Sequence, residues 1–417
     1  MLQIAVNENL QIFQLDVKSA YLNAEIDHEI YLQQPKGFIK YDEKGNPLVL
    51  KLNKSLYGLK QSGRMWNNLL HNFLTDIDFV QSEADHCVYV CNKNNCKIFL
   101  IVWVDDIIIA SSSLDVTNSV KQMLANRFKM KDFGYISYFL GIEFEISKNS
   151  MKMHQEKYIQ KILEKFKMFD CNPKLIPCDL NTVNLDFHDQ SPLLSDPKLY
   201  REIVVSLIYL MTCTRPDICY IVTILSQYLC KPTMAHFNLA KHVLRYLKGT
   251  ISQGLIFNCE GNKCLEGFTD ASWANSDGRK SISGYCFRLS NMSALISWKS
   301  KKQSTVALST CEAEYISMTH GIQEGIFLKQ LLVDMLVFCN EDPVVLFVDN
   351  KGAIDLGKNP VHHQRSKHID IKYHFIRSKI QDGQFVLKYV PSKDNIADIF
   401  TKPSTRLSLE QFKVTKV

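Results

Sequence analysis

Residues 98–110 read IFLIVWVDDIIIA, two β-rich apolar runs interrupted only by Asp105 and Asp106. Within one continuous buried strand, at least one of these carboxylates would enter the core unpaired at prohibitive cost, so the pair is expected at the tip of a tight hairpin. A plain Asp-rich β-turn is the simpler alternative, but such turns usually carry Gly or Asn beside the Asp, and neither is present. A third acid, Asp16, ends the apolar-leaning run in IFQLDVKSAYL, with Ala20, Tyr21 and Leu22 continuing into a turn or helix. If the strands bearing Asp16 and Asp105 are neighbours in one sheet, the three carboxylates converge. They can then hold two Mg²⁺ ions roughly 4 Å apart, as phosphoryl transfer to a 3′-hydroxyl requires.

A second set of acids follows. LEGFTDASWANSDGRKSISGYCF places Asp270 at the end of a short strand, before a turn containing Gly278 and a second strand. The stretch ALSTCEAEYISMTHGIQEGIFLKQLL is a helix, with Ser309 or Thr310 near its start and acids in its early turns, where the helix dipole favours them. Its Glu312 and Glu314 are two apart and point to different faces, so only one easily faces a site. VVLFVDNKGAI ends a strand with Asp349, and VPSKDNIADIFTK opens a final helix with Asp398. Singly, each acid reads as a helix cap or turn residue. One acid from each of four successive elements suits a second two-metal site on an α/β sheet.

The elements that must position these acids belong to a chain of 417 residues, enough for two or three domains, and 46% apolar residues exclude a disordered tail protein. The net charge, 49 − 43 = +6, permits a polyanionic partner without requiring one. No apolar run approaches the roughly 18 residues of a membrane span, and MLQIAVNENLQIFQ has neither a basic leader nor a small-residue cleavage site. A soluble, unsecreted protein without a membrane partner is expected. Thirteen scattered cysteines without a C-x-x-C pair point to reduced thiols in an intracellular compartment. His86, Cys87, Cys91 and Cys96 fall on a strand, a turn and a second strand, and read as ordinary thiols rather than a zinc site.

Residues 1–150 mix strands such as 98–104 with helices such as 113–128, a first α/β unit. Four of the twelve prolines fall between Asp170 and Tyr200, which marks a connection and a boundary. Residues 201–248 carry apolar residues at helical spacing, among them Leu239, Val243, Leu244 and Leu247, and stop at Lys248 and Gly249. From about Leu265 the pattern becomes that of a mixed α/β domain.

In order, LDVKSAYLNAEIDHEIYLQQPKGF, KLNKSLYGLKQSGRMWN, WVDDIIIA and FGYISYFLGIEF resemble the palm of the reverse transcriptases of copia-class retrotransposon polyproteins. The resemblance implies that Asp16, Asp105 and Asp106 bind metal. It also implies that the segment around Tyr57, Gly58, Lys60 and Gln61 lies against template and incoming nucleotide, and that 139–142 belong to the primer grip. Gly58 would let backbone approach a nucleotide, and Lys60 and Arg64 supply phosphate-facing charge, although for an isolated pair a solvated helix face is the plainer reading. Trp103 stands where the family usually has Tyr. The family's fingers region should precede Asp16 by well over a hundred residues, so the chain is expected to be truncated at its N-terminus.

TDASWA, STCEAEY, FVDN and SKDNIADIFTKP likewise resemble the ribonuclease H domain that follows in the same polyproteins. Aligned on the helix residues that follow, Glu314 rather than Glu312 takes the metal position, so the implied ligands are Asp270, Glu314, Asp349 and Asp398. Pro391, Ser392 and Lys393 fill the loop that carries a His in many cellular enzymes of this type. The basic stretch LGKNPVHHQRSKHIDIKYHFIRSK, with interleaved Tyr373 and Phe375, suits phosphate contacts along a hybrid groove, with Arg365, Lys367 and His368 as candidate contacts. His362, His363 and His368 are not read as a metal cluster.

The fold expected is therefore an α/β and α+β multidomain chain. It has a polymerase palm and thumb part over 1–170, a linker and helical connection over 171–260, and a ribonuclease H-like mixed-sheet domain over 261–417. The resemblance implies RNA-directed DNA polymerisation and cleavage of RNA in RNA/DNA hybrids. The implied partners are RNA template, DNA primer, hybrid and dNTPs, and the implied cofactor is Mg²⁺, two per site, with Mn²⁺ able to substitute. It also implies a cytoplasmic location, in virus-like particles, with access to the nucleus. A non-catalytic or domesticated nucleic-acid-binding remnant is the rival.

Overall fold

The computed structural model describes the chain except residues 94–95, 180–190, 262, 359–366 and 417. Two compact units form, Glu8–Ile136 and Ser137–Val417, the second also taking in helix α1 (Leu2–Asn7).

The first unit contains β1 (Gln11–Val17), β2 (Tyr31–Gln33), β3 (Val49–Lys51), α2 (Ser62–Asp76), β4 (Val80–Gln81), β5 (Val88–Lys93), β6 (Cys96–Trp103), β7 (Asp106–Ser111), α3 (Leu114–Arg127) and β8 (Met130–Tyr135). Six strands make an antiparallel sheet in the order β4-β5-β6-β7-β1-β8, and β2 pairs with β3 apart from it. The runs either side of Asp105 are apolar nearly throughout because β6 and β7 lie inside the sheet, with Ile98, Phe99, Leu100, Ile107 and Ile109 fully buried. Trp66, Leu70 and Leu74, spaced one turn apart on α2, join Val120 and Leu124 of α3 in covering the sheet.

The second unit opens with β9 (Tyr138–Phe139), β10 (Ile142–Ile146), β11 (Ser150–His154) and α4 (Glu156–Lys165). It continues through α5 (Lys198–Cys213), α6 (Cys219–Ser226), α7 (Met234–Lys248) and β12 (Gly254–Asn258). The helices bury Ile159, Leu163, Ile203, Leu207, Val243 and Leu247 in one core. Inside it, Arg215 donates to both oxygens of Asp217 at 2.9 and 2.7 Å, and Tyr246 donates its hydroxyl to the same acid at 2.5 Å. The compact division falls at Ile136/Ser137 rather than in the proline-rich connection after Asp170. The cause is backbone hydrogen bonding: β9, β10 and β11 form a sheet with β12, which ties 138–154 to the helical segment.

The remaining elements are β13 (Lys263–Ser276), β14 (Lys280–Ser290), β15 (Ser297–Lys302), α8 (Thr310–Asp334), β16 (Val344–Val348), α9 (Lys351–Lys358), α10 (Lys367–Gln381), β17 (Phe385–Tyr389) and α11 (Arg406–Lys416). Their sheet runs β15-β14-β13-β16-β17, with the first three strands antiparallel and β13, β16 and β17 parallel. Helix α8 presses close to this sheet at Gly321, where a Cβ would stand 2.4 Å from Thr269 Cγ2. Among the described residues, no helix is long and apolar enough to cross a membrane.

Two local expectations are corrected. The strand bearing Asp270 does not end there: β13 pairs with β14 as far as Ser276↔Lys280, across a register shift between Ser272 and Ser276. Asp398 lies in a single 3₁₀ turn, Ile396–Phe400, not in the final helix. The Asn395 side chain caps that turn by accepting from Ala397 N at 3.1 Å, and Pro403 follows before α11 begins at Arg406.

Candidate functional site

In the first unit, Asp16 sits directly opposite Asp106 in the β1–β7 register, and Asp105 occupies the turn between β6 and β7. The turn is tight enough to force Val104 into the left-handed region, at φ 57°. Two contacts hold it there: Trp66 Nε1 donates to the Val104 carbonyl at 2.6 Å, and Val17 N donates to the Asp105 carbonyl at 2.7 Å. Tyr57 donates its hydroxyl to Asp105 Oδ2 at 3.3 Å and packs against Tyr21 with ring centroids 4.5 Å apart. All three acids are half-buried. Burial, followed by the charges of Asp105 and Asp16, raises the Asp106 pKa, and a hydrogen bond from Gln14 opposes the rise.

Around this cluster, Gly58 adopts φ 97°, Lys60 is exposed, and Gln61 stands at the N-cap of α2. Arg64 is not a free phosphate-facing cation: it donates to Asp27 Oδ2 at 2.6 Å. Trp103, beside the acids, is 57% exposed.

In the second unit, Asp270 of β13, Glu314 in the second turn of α8 and Asp349 just past β16 bring one oxygen each to within 4.8 Å of one another. Glu312 is turned away. It caps α8, donating its N–H to Ser309 Oγ and accepting from Leu308 N at 2.8 Å. Ala271 N donates to Glu314 Oε1 at 3.1 Å, whereas Glu314 Oε2 is buried without a hydrogen-bond partner. Thr401 donates its hydroxyl to Asp270 Oδ2. Asp398 stands outside the triad and pairs with Lys402 Nζ at 2.5 Å.

Burial is the main force on these carboxyls. It pushes Asp270 up to about 7, assisted by the charges of Asp398 and Asp349 and opposed by Thr401 and Lys402. It pushes Glu314 up to about 10, with Asp270 and Asp349 adding to the rise. Asp398 is also raised by burial, with Lys402 opposing. Burial works against the ammonium of Lys402, but Asp398, Asp270 and Asp349 together hold it above the ordinary lysine value. An all-carboxylate set with one unpartnered buried oxygen suits a hard divalent cation, which prefers oxygen donors.

Sequence reasoning passed over Thr401 and Lys402, although the four-residue step from Asp398 to Lys402 was a readable signal. Of the expected nucleic-acid contacts, Arg365 lies outside the described residues together with His362 and His363. Lys367 and His368 open α10, and their side chains lie outside what is described. Residues 139–142 form the β9–β10 turn, in which Leu140 and Gly141 have positive φ and the Leu140 carbonyl accepts from Tyr209.

A family model described as reverse transcriptase (RNA-dependent DNA polymerase) matches residues 1–180. The retrovirus-related Pol polyprotein from transposon TNT 1-94 of Nicotiana tabacum is 37% identical over 423 residues, covering 99% of this chain and 31% of the polyprotein. A transposon Ty5-1 protein of Saccharomyces cerevisiae is 33% identical over 321 residues, 74% of this chain and 100% of its own length. The chain thus spans less than a third of the tobacco polyprotein. Among solved structures, LC11-RNase H1 is 15% identical over 33% of this chain and 93% of its own, with a TM-score of 0.27, too distant to carry weight.

Proposed function

The chain belongs to the reverse transcriptase family of copia-type, retrovirus-related transposon polyproteins, and on that premise we propose that each of its two acid clusters holds a pair of Mg²⁺ ions and carries out one phosphoryl-transfer reaction. The first cluster extends a DNA primer with dNTPs on an RNA or DNA template. The second hydrolyses RNA within an RNA/DNA hybrid.

The observation that carries the nuclease reading is Glu314 Oε2, a buried oxygen without a partner in a group of carboxylates. An ionised carboxyl left this way in the core is costly, and either a proton or a metal cation removes the cost; a group of three acids gives the cation its oxygen donors. Asp270, Glu314 and Asp349 would hold the ions, with Asp398 at the edge of the set as a fourth ligand. Ala271 N–H and the Thr401 hydroxyl fix the direction of two of those side chains, so the oxygens are aimed before substrate arrives. Bound divalent cations supply Lewis acidity to the scissile phosphate and lower the pKa of the attacking water.

In the first cluster, Asp16, Asp105 and Asp106 would hold the ions. The Trp66 bond to Val104 keeps the hairpin tip in place, and Tyr57 orients Asp105. The half-buried position suits a site that must admit a primer end and a nucleotide.

The test uses purified chain with labelled hybrid and with primer–template plus dNTPs. Asp270→Asn and Asp349→Asn should each remove hybrid cleavage while leaving the fold, and undiminished cutting by either would overturn the assignment. Asp105→Asn combined with Asp106→Asn should abolish primer extension. A remnant that only binds nucleic acid would retain hybrid without cutting it.

A further inference from the structure

The second cluster contains a cation of its own. Lys402 lies four residues after Asp398, with Nζ at 2.5 Å from Asp398 Oδ1, and its side chain is 50% exposed against 26% for the acid. Its neighbour Thr401 donates to Asp270, so two successive residues set a hydroxyl on one acid of the cluster and an ammonium on another. Asp398 is the member left outside the triad of Asp270, Glu314 and Asp349. The ammonium therefore already pairs with an oxygen that Asp398 would otherwise offer to a divalent ion.

Resting on the two-cation reading above, we propose that Lys402 is a tethered monovalent cation that occupies the Asp398 side of the nuclease site and is displaced when a divalent ion binds there. Two charges of like sign at this spacing repel, so the lysine weakens the ion on the Asp398 side more than the ion held within the triad. The exchange forms and breaks no covalent bond. The flexible four-carbon stem, already half in water, carries the ammonium away from Asp398 as the divalent ion arrives. Lys402 is thus a positioning residue: it neutralises and holds Asp398 before metal arrives and sets the divalent concentration at which the site fills.

The test is Mn²⁺ binding to the full chain, followed by calorimetry and by the electron paramagnetic resonance signal of free Mn²⁺, for wild type, Lys402→Met, Lys402→Arg and Asp270→Asn. Lys402→Met should tighten the weaker Mn²⁺ site by about tenfold, and Lys402→Arg should stay near wild type. A purely structural lysine would not tighten metal binding when removed. Unchanged or weaker Mn²⁺ binding by Lys402→Met, with native circular dichroism, overturns the inference. If that variant fails to fold, Lys402→Gln makes the same comparison. Wild-type binding that Asp270→Asn abolishes but Lys402→Met leaves unaltered keeps the two-cation reading and removes only the role of the lysine. Absence of Mn²⁺ binding by wild type at millimolar concentration removes both.

Discussion

The two acid clusters reach similar donor sets by different physical routes. In the first, Asp16 faces Asp106 across two strands with Asp105 in the adjoining turn, all three are half-buried, and burial raises the pKa of Asp106. In the second, Asp270 and Glu314 are 5% and 6% exposed, and both are pushed far above the ordinary carboxyl range. A third arrangement, in the helical core, shows the alternative: Arg215 and Asp217 are buried just as deeply, but they satisfy each other permanently. Buried acids with a resident partner are structural. Those left without one need a proton or a metal ion, and this is what makes the second cluster chemically poised.

The largest effect expected separates the clusters outright. Asp270→Asn should lower hybrid cleavage by about a thousandfold, the several kcal/mol that metal ions contribute to such reactions, while primer extension stays as it was. Asp105→Asn with Asp106→Asn should do the reverse. Loss of both activities in either variant would mean that the clusters do not act separately.

Next in size is the permanently paired charge. Asp217→Ala should destabilise the protein by about 3–5 kcal/mol in urea unfolding, because it strands a buried guanidinium. A loss below about 1 kcal/mol would show that water replaces the acid.

The buried acids without a counter-charge of their own give a smaller, pH-dependent effect. The carboxyls of Asp270 and Glu314 hold their protons to about 7 and about 10 in the fold, against 3.8 and 4.5 ordinarily. The unfolded chain therefore binds fewer protons between those limits. Metal-free stability is fully present below pH 4 or so and falls as pH rises toward the folded values. Calorimetric melting should show this fall between pH 5 and pH 9. Glu314→Gln should raise the metal-free melting temperature at pH 9 by about 3 °C, and Mg²⁺ should recover the loss in wild type. A melting temperature indifferent to Mg²⁺ at pH 9 would overturn the second cluster as a metal site.

The smallest effects belong to the exposed cations of the first unit. Arg64→Ala should leave the denaturation midpoint unchanged, since its partner Asp27 is solvated. Lys60→Ala should reduce the salt dependence of nucleic-acid binding by about one charge. An unaltered salt slope would return Lys60 to a merely solvated position.

Much of this arrangement is legible before any coordinates. An acid pair inside an unbroken apolar run has few places to go, so the hairpin tip follows from desolvation alone. The phase of α8 separates Glu312 from Glu314, because two residues advance a helix by more than half a turn. The Asp398 turn is harder to read: NIADIF carries the polar cap and apolar spacing of a helix start, and only the cap on Asn395 with Pro403 beyond it keeps it to one turn. The bonds from Trp66 to Val104 and from Tyr246 to Asp217 are silent in sequence, since a polar side chain's type does not disclose a partner dozens of residues away.

Local pattern determined which stretches become strands and helices, and which acids interrupt or flank them, because burial cost and periodicity act over a few residues. Tertiary structure alone decided that Asp16 faces Asp106, that 138–154 join the helical segment through β12, and that one oxygen of Glu314 is stranded beside Asp270. Those outcomes depend on register and on the local dielectric, which exist only once distant segments have packed.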